Sequence, residues 1–340
     1  MSYGWPRMRK RHPLVQIGDG VGLDARFGLR REQGFVWLIA ALAASAGFCW
    51  LRLETCLELP YASYRRMLDG TADTPFQHRM LVPLIGRGVS ALVGPVDPTF
   101  VLDVGSLALV LLIGARYARR LGRSPLWAAA ALYLMVAVNY AGPFGYNMRE
   151  CYDMPALLFA LPLTLALRER RYGVYYAILP FALVNRESAA FLVILFALTQ
   201  AGGLTRRAFL GHLAVQTALV VLIKGTLLLI YRHSPGAGAL SFYPGPAHSW
   251  ATSRLHDNLW WVATLRIAPI FGGMWVPLVI LRHRLTDPFT RHAMLLVPVV
   301  FAVMMLVGNA VEFRIYTELV PVIYLGLLSI AGVSLVRRPA

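Results

Sequence analysis

Five short stretches carry the carboxylates, arginines and histidines whose types and spacing could do chemistry. They are Glu54, Glu58, Asp69, Asp73, His78 and Arg79; Tyr146, Asn147, Arg149, Glu150 and Asp153; Asn185, Arg186 and Glu187; His248, His256 and Asp257; and Glu312, Arg314 and Glu318. A carboxylate of this kind takes the proton of an attacking hydroxyl. An arginine holds a phosphate bidentately without losing its own proton, and so stabilises negative charge growing on a phosphate leaving group. Arginine abundance alone carries little weight, since a GC-rich gene produces it too. Position is the signal: Arg79, Arg149, Arg186 and Arg314 come from four separate loops.

Spacing separates the stretches. Arg149 and Asp153, like Arg314 and Glu318, stand four apart and share a helical face, where an ion pair closing a helix end accounts for them as well as a site does. Arg186 and Glu187 point about 100° apart on a helix and cannot simply pair, so they call for partners from other helices and are read as lining a polar chamber. Asp73 has no arginine within a helical turn and is the leading candidate base, followed by Glu150 and Asp153. His78, Arg79, Arg149, Asn185, Arg186, Glu187, His256, Glu312, Arg314 and Glu318 form the expected substrate-binding set. Asp69 and Asp73 could share a turn but make no tight Asp-X-Asp. No strong metal motif is present, and the cofactor stays unknown, a divalent cation included. His248 and His256 lie in a Gly/Pro-rich loop of about 27 residues, longer than ordinary connections, which reads as a substrate-covering loop rather than a metal site. Gly18, Gly20 and Gly22 follow no strand and precede no Gly-Lys-Ser/Thr, so they do not read as a phosphate cradle. Cys49, Cys56 and Cys151 are too few for a disulfide framework; Cys49 reads as packing, and whether Cys56 and Cys151 pair is open.

The elements that must position these groups follow from composition. The chain of 340 residues is 57% apolar and 15% charged, against about a quarter charged in soluble domains. That predicts an integral membrane protein and excludes a soluble Rossmann enzyme, a disordered tail or a disulfide-stapled module. The expected fold is all-α, a polytopic membrane helical bundle. A span takes about 20 apolar residues, which selects 34–52, 99–117, 125–142, 154–168, 208–231, 259–281, 293–310 and 318–336, eight in all. The apolar run 173–200 is interrupted by Asn185-Arg186-Glu187-Ser188 and reads as a pair of short helices meeting at a polar turn. Segment 80–94, short and carrying Arg87, reads as an interfacial helix on the outer face. With it lying flat, the basic clusters at 7–31, 116–123, 168–171, 206–207, 282–291 and 337–338 all fall on one side. By the positive-inside rule that side is cytoplasmic, and the formal net charge of +16 sits there. Orientation and contact with anionic lipid account for the charge without nucleic acid. Residues 1–33 form a basic cytoplasmic tail, 34–336 a single transmembrane domain with outer loops at 53–98 and 232–258, and 337–340 a cytoplasmic C-terminus. The five chemical stretches then fall at the outer side, where ionisable groups are costly unless paired or facing a wet cavity.

Pro75-Phe76-Gln77-His78-Arg79-Met80-Leu81-Val82-Pro83, Arg149-Glu150-Cys151-Tyr152-Asp153-Met154-Pro155, Asn185-Arg186-Glu187-Ser188 and Glu312-Phe313-Arg314 with Glu318 and Pro321 look like segments of small bacterial membrane proteins of one general type. In layout, residues 34–336 resemble the GT-C class of membrane glycosyltransferases, which use polyprenyl-phosphate-linked sugars. The resemblance implies a lipid-phosphate sugar donor, a glycan or lipid acceptor, membrane lipids as surroundings, an inner-membrane location with both termini cytoplasmic, and a site open to the periplasm or exterior. It also implies a base from the first outer loop, where Asp73 lies; Arg149 and Arg314, which enter from loops that begin spans, are expected to hold the donor phosphate at the bilayer edge. The chain departs from that class in lacking an acidic doublet close after its first span. Two other readings compete: a polysaccharide polymerase or ligase acting on lipid-linked glycans, with His248 or His256 in play, and a transporter or flippase for an anionic lipid-linked substrate.

Overall fold

The computed structural model describes residues 31–94, 97–141, 148–234, 248–307, 310 and 312–330. Residues 1–37 group apart from 38–340, and of the former only 31–37 are described, as the first turns of a helix. Among the described residues the fold is all-α, with α1 (Arg31–Thr55), α2 (Tyr64–Asp69), α3 (Leu81–Val93), α4 (Pro98–Arg120), α5 (Pro125–Ala141), α6 (Asp153–Arg168), α7 (Tyr172–Asn185), α8 (Phe191–Gln200), α9 (Arg206–Ile230), α10 (His248–Ala263), α11 (Trp275–Ile280), α12 (Pro288–Ala293), α13 (Leu296–Val307) and α14 (Val320–Ile330). The only strands among those residues are β1 (Leu57–Glu58) and β2 (Met148–Arg149), a parallel pair with Leu57 opposite Met148.

Five helical stretches are long and apolar enough to cross a membrane: Gln33–Thr55, Pro98–Arg120, Arg206–Ile230, Pro288–Leu306 and Phe313–Ile330. Two further expected spans, α5 and α6, are continuous helices of 17 and 16 residues. The expectation of one helix over 259–281 is corrected. α10 stops at Ala263, Leu265, Phe271, Gly272 and Gly273 take left-handed φ angles, and α11 runs for six residues. Pro269 and Pro277 donate no backbone hydrogen bond and Gly272-Gly273 adopts positive φ without strain, so the helical ladder cannot run through. The outer loop expected over 232–258 is also shorter, because residues from His248 onward are helical. No glycine or proline occurs from His248 to Ala263 to interrupt that helix. Positions 331–336 of the expected last span lie outside the described residues, as do Tyr146, Asn147 and the Gly18–Gly22 run.

The break within 173–200 falls where the sequence places it. α7 ends at Asn185, Arg186 is extended (φ −158°, ψ 144°), and a 3-10 turn over Glu187–Ala190 leads into α8. Segment 80–94 is helical as α3; it buries Val82, Pro83 and Gly86 and leaves Leu84, Ile85 and Leu92 exposed. Gly86 has no room for a side chain, since a Cβ there would meet the Tyr64 hydroxyl at 2.3 Å.

Neighbouring helices put charge at their two ends only. α4 carries no ionisable side chain between Asp103 and Arg116, and α6 none between Asp153 and Arg168. At 1.5 Å per residue the uncharged stretches measure about 20 Å and about 22 Å. Arg52 touches both Asp103 and Asp153, while Arg120 approaches Glu169; α4 and α6 therefore pack side by side in parallel, and α5 packs against α4 and α14. Between the two polar ends the core is a continuous apolar cluster that includes Leu107, Leu111, Leu132, Leu161, Leu179, Phe196 and Tyr324.

Candidate functional site

At one end of these helices a buried network of ion pairs centres on Asp153, the first residue of α6. Its Oδ2 accepts from Arg52 Nη2 at 2.9 Å and from the backbone N–H of Glu150 at 3.1 Å. Its Oδ1 lies 3.4 Å from Arg314 Nη1 and 3.9 Å from Arg186 Nη1. Three guanidiniums thus reach one carboxylate from α1, from the break after α7 and from the 3-10 turn ahead of α14. Burying such groups singly costs several kcal/mol, roughly, and mutual pairing offsets it.

Each arginine has a second anchor. Arg52, wholly buried, also meets Asp103 of α4 at 3.4 Å. Arg186 donates to the Arg314 carbonyl at 3.2 Å and to the Thr317 hydroxyl at 3.1 Å. Arg314 is surrounded by Asp153, Glu312 and Glu150, the last at 3.5 Å. Glu150 is buried in the loop before α6, and neither of its carboxylate oxygens has a hydrogen-bond partner. Burial pushes its pKa up to about 8, against the attraction of Arg314 and with the nearby Asp153 charge adding to the rise.

A second group adjoins the first through Tyr152. Arg79 Nε donates to Glu187 Oε2 at 2.8 Å, and Arg79 Nη1 donates to the Tyr152 hydroxyl. The Tyr152 ring lies under Arg79 at 4.5 Å and near Arg186 at 5.9 Å. Lys224 of α9 stands 3.8 Å from Glu187 Oε1. Arg79 is held there by the loop behind it: Gln77 donates to the Met67 carbonyl and accepts from the Ala72 N–H, which folds 67–80 into a compact turn. His78 is buried opposite the Tyr231 ring at 6.2 Å, and burial holds it below the ordinary histidine range.

Most of the expected residues therefore meet. Glu150, Asp153, Arg79, Arg186, Glu187, Glu312 and Arg314 form the network; Asn185 donates to the Tyr152 carbonyl and Glu318 accepts from Ser188 Oγ at 2.5 Å. Arg186 and Glu187 do take partners from other elements. Neither of the two i to i+4 ion pairs forms, because Asp153 and Arg314 face inward toward longer-range partners. Arg149 turns instead to Asp97 at 3.9 Å and Thr99 at 3.3 Å. The covering loop expected around His256 is corrected: His256 lies within the helix α10, exposed to solvent, with its Nδ1 3.9 Å from Asp257 Oδ1. The His248 side chain lies outside the described residues. Asp73 is half-buried and makes no ion pair among the described residues.

Four members escaped the sequence reading: Arg52, Asp103, Tyr152 and Lys224. A signal existed for three of them, each being a lone ionisable group inside or at the end of an apolar span, where such residues cluster at function. Cys56 and Cys151 do not pair; Cys56 Sγ points to the Tyr140 carbonyl and Cys151 to Met67. Among the described residues no group of three His, Cys, Asp or Glu side chains could hold a metal ion. No family model, curated protein or solved structure matches this chain.

Proposed function

We propose that the chain is a polytopic integral membrane protein, its termini and basic clusters cytoplasmic and its ion-pair network at the outer side, and that it is a GT-C-like glycosyltransferase. In this reading it moves a sugar from a polyprenyl-phosphate donor to a glycan or lipid acceptor. The observation that carries the reading is the convergence of Arg79, Arg186 and Arg314, from three separate elements, on the Tyr152-Asp153 step, with Asp73, six residues before Arg79, in no ion pair among the described residues.

The acceptor hydroxyl loses its proton to Asp73 as its oxygen bonds to the anomeric carbon. The anomeric carbon–oxygen bond to phosphate breaks, and the electron pair leaves with polyprenyl phosphate. Among the described residues Arg79 pairs with the one carboxylate of Glu187, besides the Tyr152 hydroxyl, and Arg149 with that of Asp97, and both keep part of their side chains open, so these two turn to the phosphate. Arg314, enclosed by three carboxylates, organises them instead, and Asp153, ringed by arginines, is a poor proton acceptor beside Asp73 or Glu150.

The test is the purified full chain in proteoliposomes with polyprenyl-phosphate-linked sugars, release of polyprenyl phosphate being followed by mass spectrometry. Transfer that falls about 10²–10⁴-fold in Asp73→Asn with donor binding kept supports the reading. Wild-type turnover in Asp73→Asn, Glu150→Gln and Asp153→Asn alike overturns it. One observation favours a transporter instead: Glu150 is buried 3.5 Å from Arg314 with neither carboxylate oxygen hydrogen-bonded, and burial raises its pKa to about 8, so it would exchange a proton around neutral pH. Proton-coupled uptake into the same vesicles without sugar transfer would establish that second reading.

A further inference from the structure

At the other end of the helices, about 25 Å along α4 from Asp103, a cleft of about 210 Å³ opens between α4, α6 and α7. Its rim holds Arg116 and Arg120 of α4 and Arg171 at the start of α7, with Glu169 as the one carboxylate. Glu169 stands 3.9 Å from Arg120 and 3.7 Å from Arg171, and all three side chains reach solvent. The inner wall is apolar, formed by Pro162, Leu165 and Val174. Arg120 and Arg171 share the single carboxylate of Glu169, and the surplus positive charge attracts an anion, yet free anions in water gain nothing from the apolar wall below. A ligand with a charged head joined to a hydrocarbon tail satisfies both surfaces.

We propose that this cleft binds an anionic phospholipid of the cytoplasmic leaflet, its phosphate between Arg120 and Arg171 and its first methylenes against Leu165 and Val174. The inference rests on the membrane orientation proposed above, which brings this end of the bundle to the cytoplasmic headgroups. Basic pockets between membrane helices on that side bind such headgroups, and each basic residue near the surface adds appreciably to the attraction. The cleft is separate from the ion-pair network, so occupancy here supports or positions the bundle without entering the chemistry at the other end. The lipid is thus an annular partner at a defined seat.

The experiment is native mass spectrometry of the full chain in detergent, titrated with phosphatidylglycerol or phosphatidylcholine of matched acyl chains. Wild type retains phosphatidylglycerol preferentially. Arg120→Ala with Arg171→Ala lowers its affinity about thirtyfold, two basic residues each counting as at a membrane surface. Val174→Trp, which fills the cleft and leaves its charge intact, has a comparable effect, while Arg119→Ala on the same helix but outside the cleft leaves retention unchanged. Equal retention of the two lipids, an unaffected double variant, or an Arg119→Ala effect as large as the double variant's would each overturn the proposal. So would displacement of the lipid by glycerol 3-phosphate at equal concentration, which identifies a free-phosphate site. These variants touch no residue of the ion-pair network, so the sugar-transfer assay fails or succeeds independently. Extraction of the chain from membranes by alkaline carbonate would defeat the membrane reading itself.

Discussion

Arg52 and Asp153 lie 101 positions apart and meet at 2.9 Å with both side chains wholly out of solvent. The contact ties the end of α1 to the start of α6, and Asp103 ties α4 to the same guanidinium at 3.4 Å. One arginine therefore fastens three helices at the end of the bundle where the candidate site lies.

Removing one partner of a buried pair leaves the other charged and uncompensated, at a cost of about 3–5 kcal/mol. Asp153→Asn leaves Arg52, Arg186 and Arg314 short of a counter-charge, and Arg52→Met takes the arginine from Asp103 while Asp153 keeps Arg186 and Arg314. Both variants are expected to lower the thermal unfolding midpoint sharply in detergent. An unchanged midpoint would show that the network is wetter and looser than its geometry.

Glu150 supplies a pH dependence whose sign is fixed. Its folded pKa, near 8, lies above the ordinary 4.5, so between those values the folded chain holds a proton that the unfolded chain has released. Stability therefore falls as pH rises from about 4.5 to about 8 and levels off above that. Glu150→Gln should remove this component, and unfolding midpoints measured from pH 5 to 9 would expose a slope unaltered by the change.

Glu187 stands between Arg79 and Lys224. Glu187→Gln strands two cations and should abolish activity more than expression. Adding Lys224→Gln should recover part of any lost stability, since residues in one network couple by about 0.5–3 kcal/mol. Strict additivity of the two changes would remove Lys224 from the network.

The orientation is checked with single cysteines, the native thiols being buried. A membrane-impermeant maleimide added outside should label Asp73→Cys and leave Arg120→Cys unlabelled. Outside labelling at position 120 with none at 73 would invert the map.

Packing of α4 separates two of its glycines. A Cβ at Gly114 would meet Leu132 at 2.7 Å and Tyr324 at 3.3 Å, whereas Gly105 has open space around it. Gly114→Leu is expected to destabilise by about 1–3 kcal/mol through overpacking, and Gly105→Leu to change the unfolding midpoint little.

What the amino-acid order determined by itself was local. Runs of apolar residues mark helices because backbone groups outside water must bond within the segment. Thus α1, α4 and α9 were legible from hydropathy, and Asn185-Arg186-Glu187-Ser188 marked the break before α8 because charged groups cannot continue an apolar helix without partners. The helix at 80–94 was legible too. The kinks at Pro269 and Gly272-Gly273 were visible in the residues, but hydropathy averaged over a span hid them.

The tertiary structure decided which charge meets which. Helical spacing favoured Arg149 with Asp153 and Arg314 with Glu318, whereas the fold sends Arg149 to Asp97 and gathers Arg52, Arg186 and Arg314 on Asp153. No sequence separation encodes those choices. A buried charge takes the partner that the packing of distant helices brings within reach, and only the assembled bundle determines that Asp153 is enclosed while Asp73 keeps part of its side chain in solvent.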